Sequence, residues 1–340
     1  MKLIIQVPCL NEEDQLPQTI DALPESVAGF DSVEFLIIDD GSTDRTVQVA
    51  RAAGVHHVVK LPQNRGLATA FQAGLDACLK LGADVIVNTD ADNQYQADDI
   101  PLLTGPVLAG EADIVVGSRD VRNHEEFSAL KIRLQLLGSW AVRKASGTSV
   151  PDATSGFRAY SREAAIGLTV VNSYTYTIES LIQAGRQNAA IVSVPIRTNP
   201  KVRDSRLFGS MFGYIKKNAL TIGRVFAAYE PLKFFGALSF LLLGGAVLAS
   251  LPFVVDWVRT GDTSGHLQSI ILAAALGIAA VQLLALAVVA DLISSQRIVT
   301  QRTLERVRRL ELHAQVEPSH YDPSLHPDRR VADRRGESGG

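Results

Sequence analysis

The chain has 340 residues, a net charge of −3 at pH 7 and a pI near 6.2. This charge balance argues against a general nucleic-acid-binding protein, which needs a basic excess for affinity. Its only cysteines, Cys9 and Cys78, have no paired spacing and no histidines at ligand spacing, which favours a reducing compartment.

The first part of the chain alternates short β-branched segments with segments of helical character. The apolar start, Met1–Val7, is too short for a secretory signal and runs directly into Pro8, so we predict a strand there. The predicted strands are Lys2–Val7, Val33–Ile38, Val55–Lys60, Asp84–Thr89 and Asp113–Gly117. Strands and helices in alternation predict an α/β domain with a mainly parallel sheet.

Polar clusters follow three of these strands, at Asn11–Glu13, Asp39–Asp44 and Asp90–Gln94. Each cluster alone is explained by a turn that caps a helix. Because the carboxyl ends of parallel strands meet at one edge, the three clusters would repel unless a cation or a hydrogen-bonding ligand lay between them. Asp90 and Asp92 offer the hard oxygen ligands that Mg²⁺ or Mn²⁺ shares with substrate phosphates, which predicts a nucleoside diphosphate substrate.

Three motifs, Val7–Glu12, Asp39–Asp44 and Asp90–Gln94, resemble in order and spacing the nucleotide-sugar-binding half of family-2 glycosyltransferases, which have the GT-A fold (Rossmann-like, mainly parallel). Four later features are similar to the dolichyl- and polyprenyl-phosphate glycosyltransferases: Gly117-Ser118-Arg119, Arg133, Thr154–Arg162, and Pro195 followed by Arg203–Leu207. The resemblance covers roughly Lys2–Leu207 and implies a catalytic GT-A domain at residues 1–207.

The resemblance also implies roles for individual donor-side residues. The implied nucleotide-sugar-binding residues are Pro8, Leu10, Glu12, Asp39, Asp40, Asp90, Arg203 and Arg206. The implied ligands of Mg²⁺ or Mn²⁺ are Asp90, Asp92 and Gln94. Such a cation would neutralise charge on the departing nucleoside diphosphate.

On the acceptor side, the resemblance implies that Arg119 and Arg133 hold a phosphate; with Asp92 they form the implied catalytic set. Guanidinium groups bind phosphate oxygens bidentately, although a single arginine is also explained as a solvated surface residue. The family commonly has a glycine and a lysine in the closing segment, where this chain has Arg203-Asp204-Ser205-Arg206. Which of these residues makes which contact therefore stays open.

One missing feature bears on the acceptor. Family-2 enzymes that glycosylate a hydroxyl usually carry a Glu-Asp or similar dyad as the base, whereas Tyr176–Ser180 contains only Glu179, which can instead pair with an arginine or cap a helix. A phosphate monoester, with a second pKa of about 6, is mostly dianionic at neutral pH and can attack without a strong base. This favours inverting transfer of a hexose to polyprenyl (undecaprenyl or dolichyl) phosphate.

Two alternatives stay open. The first is a membrane glycosyltransferase that acts directly on a lipid hydroxyl. The second is a catalytically silent scaffold or sensor that binds nucleotide sugars. UDP-hexose and GDP-hexose both fit the donor motifs.

The last third of the chain predicts a membrane anchor. Residues 208–230 form an amphipathic pattern, and within 231–293 two uncharged apolar runs, about 234–255 and 270–290, are long enough to cross a bilayer. Two buried core helices are the less favoured reading. Small residues such as Gly244 and Gly245 allow close packing within or between protomers, so a homo-oligomer stays open.

Charge predicts the orientation of these spans. The connector Asp256–Ser269 carries only Arg259 as a fixed positive charge, whereas five arginines follow the second span between 297 and 309. The positive-inside rule predicts a multi-pass protein of the inner (plasma) membrane whose catalytic domain and termini are cytoplasmic. Residues 294–340 are predicted to form a basic helix and a tail that is disordered from about Glu317.

Overall fold

The computed structural model describes residues 1–119, 139–140, 142–143, 146–170, 176–200, 223, 227, 230–261 and 265–322. Three predicted site residues, Arg133, Arg203 and Arg206, lie outside this described part, as does most of the segment 208–230. The chain divides into two compact units, one formed by Met1–Ile215 with Thr303–Gly340 and the other by Lys216–Arg302.

The first unit is built on a seven-stranded sheet with the order β3-β2-β1-β4-β6-β5-β7. The strands are β1 Lys2–Cys9, β2 Ser32–Asp39, β3 His57–Lys60, β4 Val85–Asn88, β5 Ile114–Ser118, β6 Arg158–Ser161 and β7 Ile191–Pro195. Only β6 is antiparallel to its neighbours, so the predicted mainly parallel sheet is confirmed. The sequence patterns missed β6 and β7, which are short and lack the continuous apolar run of β1 and β2.

Helices fill the intervals between the strands of this unit. They are α1 Leu16–Asp21, α2 Thr46–Ala52, α3 Leu67–Lys80, α4 Ile100–Leu108, α5 Arg162–Gly167 and α6 Thr177–Arg186, with a 3₁₀ turn at Ala97–Asp99. The longest, α3, lies very close to the sheet: a Cβ on Gly74 would be 2.4 Å from Gln6 Oε1 and 2.7 Å from Ile38 Cδ1. A methyl group would push α3 away from β1 and β2, so a glycine is required there for packing.

The outer edge of β3 is covered by a segment from late in the same chain, His320–Asp322. The Lys60 amide donates to the His320 carbonyl at 3.0 Å, and the Asp322 amide donates to the Val58 carbonyl at 3.0 Å. This pairing satisfies part of an otherwise open sheet edge. Sequence composition predicts disorder from about Glu317, but the described residues up to Asp322 pair with the sheet, because edge hydrogen bonds and side-chain contacts stabilise them.

Side chains reinforce this edge pairing through a buried histidine that the sequence analysis left without a role. His57 is 2% exposed; its Nδ1 lies 2.8 Å from the Tyr321 hydroxyl and its Nε2 lies 2.7 Å from Glu34 Oε2. Lys2 Nζ lies 2.9 Å from the other oxygen of Glu34. The result is a continuous network of polar contacts that runs from β1 through β2 and β3 to Tyr321.

We expect Glu34→Gln to remove a pH-dependent part of the stability. Burial opposes ionisation of Glu34, but hydrogen bonds from His57 and Lys2 outweigh it and lower its pKa from 4.5 to about 2. A lowered pKa stabilises the folded state above pH 4.5, and this contribution is lost as the pH falls toward about 2. The unfolding temperature in detergent should therefore be lower for the variant at pH 7, with a difference that shrinks below pH 4.5 and disappears below about pH 2; exposed Glu25→Gln is the control. A constant difference across this pH range would contradict the prediction.

The second unit contains two long apolar helices, α7 Pro231–Thr260 and α8, which starts at Leu267 in this unit and continues to His313. Both are long and apolar enough to cross a membrane. They pack through small residues: Ser239 Oγ donates to the Ala280 carbonyl at 2.7 Å, and a Cβ on Gly245 would lie 3.5 Å from Leu276 Cδ1. The helical segments are longer than the predicted runs because their polar ends continue the helix beyond the apolar part.

Candidate active site

The loops after β1 and β2 form one wall at the carboxyl edge of the sheet. Asn11, with a φ of 54°, accepts a hydrogen bond from the Thr43 amide at 2.8 Å and donates its own amide to Ser42 Oγ at 2.9 Å. The Glu12 amide donates to Thr46 Oγ1 at 2.9 Å. Two of the three predicted polar clusters are therefore bonded directly to each other.

The two neighbouring aspartates at the end of β2 have different surroundings. Both carboxylate oxygens of Asp40 accept backbone amides, from Arg65 at 2.8 Å and Gly66 at 2.9 Å. Asp39 is fully buried and uses Oδ1 to accept the Ser42 amide, whereas Oδ2 has no hydrogen-bond partner among the described residues. A buried acceptor without a partner is costly, so Asp39 Oδ2 suits a donor group of a ligand, and Asp40 fixes a loop.

That loop, Leu61–Gly66, was not singled out by the sequence analysis. The Leu61 amide donates to the Asp39 carbonyl at 2.9 Å. Gly41, with a φ of 77°, lies so close that a Cβ would be 2.4 Å from the Gln63 carbonyl carbon. The sequence signal that could have indicated this loop is Gly41, which directly follows the Asp39-Asp40 pair. A glycine at such a position is often required where another backbone segment approaches closely. The loop therefore lies against the Asp39–Asp40 end of β2.

The third cluster follows β4. Thr19 Oγ1 donates to the Ala91 carbonyl at 2.8 Å, and Asp92 Oδ1 accepts the Gln94 amide at 3.2 Å. Asn199 donates its side-chain amide to the Asn93 carbonyl at 2.9 Å. The metal-binding loop proposed from sequence is thus anchored on one side by α1 and on the other by the segment after β7.

Asp90, the first carboxylate after β4, is partly exposed and has charged neighbours of both signs. Burial, and next the Asp92 carboxylate, raise its pKa from 3.8 to about 7, while the Arg119 guanidinium and a hydrogen bond with Tyr95 oppose this rise. Arg119 is therefore close enough to Asp90 to influence its ionisation. The structure brings a predicted donor-side carboxylate and a predicted acceptor-side arginine into the same site.

Arg119 itself is fixed by a carboxylate that the sequence analysis did not single out. Its Nε lies 2.7 Å and its Nη2 3.1 Å from the two oxygens of buried Asp152, and Nη2 also donates to Thr154 Oγ1 at 3.0 Å. Burial opposes ionisation of Asp152, but the charge and hydrogen bonds of Arg119 outweigh it and lower its pKa. Within the described part of the chain, Nη1 of Arg119 makes no hydrogen bond, so it is available to an anionic ligand.

An arginine of the Thr154–Arg162 motif, Arg158, has a structural role. Arg158 is fully buried and donates to the carbonyls of Ser155 and Ala153 at 2.8 Å and 2.9 Å, and to Thr177 at the start of α6 at 2.8 Å. It therefore joins the loop before β6 to α6. Glu179, on the same helix, is also buried.

The donor set at Asp90, Asp92 and Gln94 fits a divalent cation that shares its shell with a substrate. No group of three or more His, Cys, Asp or Glu side chains that could hold a metal is present among the described residues. Two carboxylates and one amide match the few protein ligands that Mg²⁺ or Mn²⁺ takes when phosphate oxygens and water complete the shell. The repulsion from Asp92, which adds to burial in raising the pKa of Asp90, would be relieved by a bound cation.

These features agree with comparisons to known proteins. The glycosyl transferase family 2 model matches residues 4–168. An undecaprenyl-phosphate mannosyltransferase from Micrococcus luteus is 30% identical over 248 residues, which cover 68% of this chain and 98% of that protein. A polyprenol monophosphomannose synthase from Mycolicibacterium smegmatis is 30% identical over 224 residues, 62% of this chain and 82% of that protein. The chain belongs to glycosyltransferase family 2 and is a glycosyltransferase.

Solved structures give the same fold. Glucosyl-3-phosphoglycerate synthase from Mycobacterium tuberculosis, in complex with Mn²⁺ and UDP-glucose, superposes with a TM-score of 0.53 at 25% identity, covering 66% of this chain and 78% of that one. The same enzyme with phosphoglyceric acid gives a TM-score of 0.51 at 26% identity, covering 65% of this chain and 79% of that one. The predicted GT-A fold is confirmed.

Proposed function

We propose that this protein is an inverting hexosyltransferase that moves a sugar from a nucleotide-sugar donor to polyprenyl phosphate at the cytoplasmic face of a membrane. The observation that carries the proposal is that the Arg119 guanidinium is close enough to Asp90 to lower its pKa, because this brings a carboxylate suited to a cation and a guanidinium suited to an anion into one site. The named relatives that act on undecaprenyl phosphate and polyprenol support the lipid acceptor.

The donor would occupy the side of the site built from the loops after β1, β2 and β3. Asp39 Oδ2 would accept a hydrogen bond from the base or ribose, and Asp40 would keep the Leu61–Gly66 loop in place. Asp90, Asp92 and Gln94 would hold the divalent cation, which supplies charge neutralisation to the departing nucleoside diphosphate. The Mn²⁺ and UDP-glucose bound to the solved neighbour support this use of the site.

The acceptor phosphate would bind to Nη1 of Arg119, which makes no hydrogen bond within the described residues, and to Arg133. In the transfer step a phosphate oxygen attacks the anomeric carbon, a new carbon–oxygen bond forms, and the bond to the nucleoside diphosphate breaks with both electrons leaving on that group. The attacking dianion needs no proton removed, so a strong base is not required. In-line attack inverts the anomeric configuration.

The test is transfer by the purified full-length protein in detergent, with labelled UDP- and GDP-hexoses as donors and Mn²⁺ present. Three acceptors are compared: polyprenyl phosphate, a neutral glycolipid, and phosphoglyceric acid. We expect metal-dependent transfer to polyprenyl phosphate alone, with inverted configuration at the anomeric carbon. Transfer to the neutral glycolipid, or retention of configuration, would contradict the proposal, and no transfer with any pair would favour the scaffold alternative.

We also propose that the connector between α7 and α8 faces away from the cytoplasm, so that both termini and the catalytic domain share the cytoplasmic side. The arginines that follow the second apolar run support this orientation. A single cysteine introduced at exposed Gly261, in a Cys9→Ser, Cys78→Ser background, should react with a membrane-impermeant reagent from outside intact cells. Labelling only after the cells are opened would contradict the orientation.

A further inference from the structure

The backbone of Gly156 is held on both sides by buried side chains. Asn88 Nδ2 donates to the Gly156 carbonyl at 2.9 Å, and the Gly156 amide donates to the Tyr95 hydroxyl at 3.1 Å. Asn88 is oriented in turn by Gln6, whose Nε2 donates to Asn88 Oδ1 at 2.9 Å, and by the Tyr176 hydroxyl, which accepts from Asn88 Nδ2 at 2.8 Å. The backbone at this position is therefore fixed by a connected polar network.

This network lies in the interior, where its hydrogen bonds are hard to replace. Gln6 and Asn88 are fully buried, and Tyr95 and Tyr176 are 5% and 1% exposed. Each tyrosine ring is also stacked on a phenylalanine: Tyr176 on Phe71 with centroids 3.9 Å apart, and Tyr95 on Phe157 with centroids 5.0 Å apart. Stacking and hydrogen bonding together leave each hydroxyl one favourable position.

The feature that this network supports is the Asp90 carboxylate. A Cβ built on Gly156 would lie 2.9 Å and 3.1 Å from the two oxygens of Asp90, and 2.8 Å from the Tyr176 hydroxyl. Both carboxylate oxygens thus rest close to the face of the glycine that has no side chain. The φ of Gly156 is outside the left-handed region, so the requirement for glycine is space for Asp90 and Tyr176 and not backbone conformation.

We propose that Gly156, together with Asn88 and Tyr95, is a positioning device that orients Asp90 toward the divalent cation of the donor complex. The inference rests on the proposed function in that it assumes that Asp90 is a cation ligand. Neither Asn88 nor Tyr95 touches the reacting groups. They fix the backbone of Gly156, against which the carboxylate lies.

The experiment measures Mn²⁺ binding by electron paramagnetic resonance titration of the full-length protein in detergent, with Mn²⁺ as the only ligand. Loss of an orienting group around a metal ligand typically weakens metal binding by roughly 10- to 100-fold. We expect Gly156→Ala to weaken Mn²⁺ binding by at least about tenfold. Gly105→Ala is the matched control, because Gly105 has open space around it and lies in α4; it should bind Mn²⁺ like wild type.

If Gly156→Ala does not fold, a second variant, Tyr95→Phe, tests the positioning role. Tyr95→Phe keeps the ring stack on Phe157 and removes only the hydroxyl; we expect about a threefold or larger loss of Mn²⁺ affinity, since one of several orienting bonds is lost. Tyr321→Phe, which removes a hydroxyl at the far edge of the sheet, is its control. Raising the Mn²⁺ concentration should restore nucleotide-sugar turnover in both site variants, an effect that general destabilisation would not produce.

The outcomes separate this inference from the proposed function. Wild-type affinity in folded Gly156→Ala, or in Tyr95→Phe when the first variant does not fold, would overturn the inference, as would absence of Mn²⁺ binding by the wild-type protein. If the wild type binds Mn²⁺, the variants bind it weakly, and yet no sugar reaches polyprenyl phosphate, the positioning role stands and the proposed acceptor fails.

Discussion

Replacing Asp92 by alanine is expected to abolish metal-dependent sugar transfer while leaving membrane insertion intact. The carboxylate is one of the few protein ligands proposed for the cation, and loss of a charge-stabilising group in an active site typically costs at least about a hundredfold in rate. The measurement is release of UDP or GDP from a nucleotide-sugar panel, with turnover followed as Mn²⁺ is varied.

Two further variants separate charge from structure at this position. Asp92→Asn keeps a side-chain oxygen that can accept the Gln94 amide, so it preserves the loop and removes only the charge; we expect a loss close to that of Asp92→Ala. Asp98→Ala is the control, because Asp98 is an exposed aspartate six positions further on. Near-normal turnover in Asp92→Asn would mean that Asp92 serves only to shape the turn.

The second large effect is expected for Asp152→Asn. The substitution keeps the size of the side chain but removes the negative charge that holds the Arg119 guanidinium. It also places an amide nitrogen, which is a donor, where a carboxylate oxygen accepted a hydrogen bond from Arg119. A small misplacement of a substrate-binding group costs up to about a hundredfold in rate. We expect the KM for polyprenyl phosphate to rise and kcat to fall, for a combined loss of about 10- to 100-fold in kcat/KM, with the KM for the donor little changed.

Arg119→Lys tests the same contact from the other side. A lysine keeps the positive charge but cannot form the two-point contact with Asp152 and still reach the acceptor. We therefore expect kcat/KM for polyprenyl phosphate to fall and the KM for the donor to change little. Glu163→Gln is the control, because it breaks an exposed arginine–carboxylate pair with Arg309. A loss that falls equally on donor and acceptor, or none at all, would contradict an acceptor role for Arg119.

Individual strands show which parts of the sheet local sequence patterns predict and which they miss. β1 and β2 were predicted closely because each is a long apolar run that ends in a polar cluster. β6 was missed because Arg158-Ala159-Tyr160-Ser161 is short and begins with an arginine. It becomes a strand because the buried Arg158 finds carbonyl acceptors in the adjoining loop and α6, a partner set that no local pattern contains.

The same distinction holds for charged residues. In the folded first unit Lys80 pairs with Asp76 and Glu311, and Arg308 donates to the Ile166 carbonyl at 2.9 Å. The i,i+4 pair of Lys80 with Asp76 could be read from the sequence, because helix geometry fixes that distance. The contacts with Glu311 and Ile166 join residues more than 100 positions apart, so only the folded chain defines them.

The motif that begins at Asp90 shows what each level of information decided. The sequence alone determined that two carboxylates close a buried strand, that arginine-containing motifs follow, and that two long apolar runs come later, because residue type and spacing carry that information directly. Only the tertiary structure decided that Asp40 fixes a loop while Asp39 Oδ2 is buried without a hydrogen-bond partner among the described residues, that Asp152 holds Arg119, and that Gly156 leaves room for the Asp90 carboxylate. These assignments depend on which distant atoms lie within hydrogen-bond or van der Waals distance, and that is set by the packing of the whole sheet.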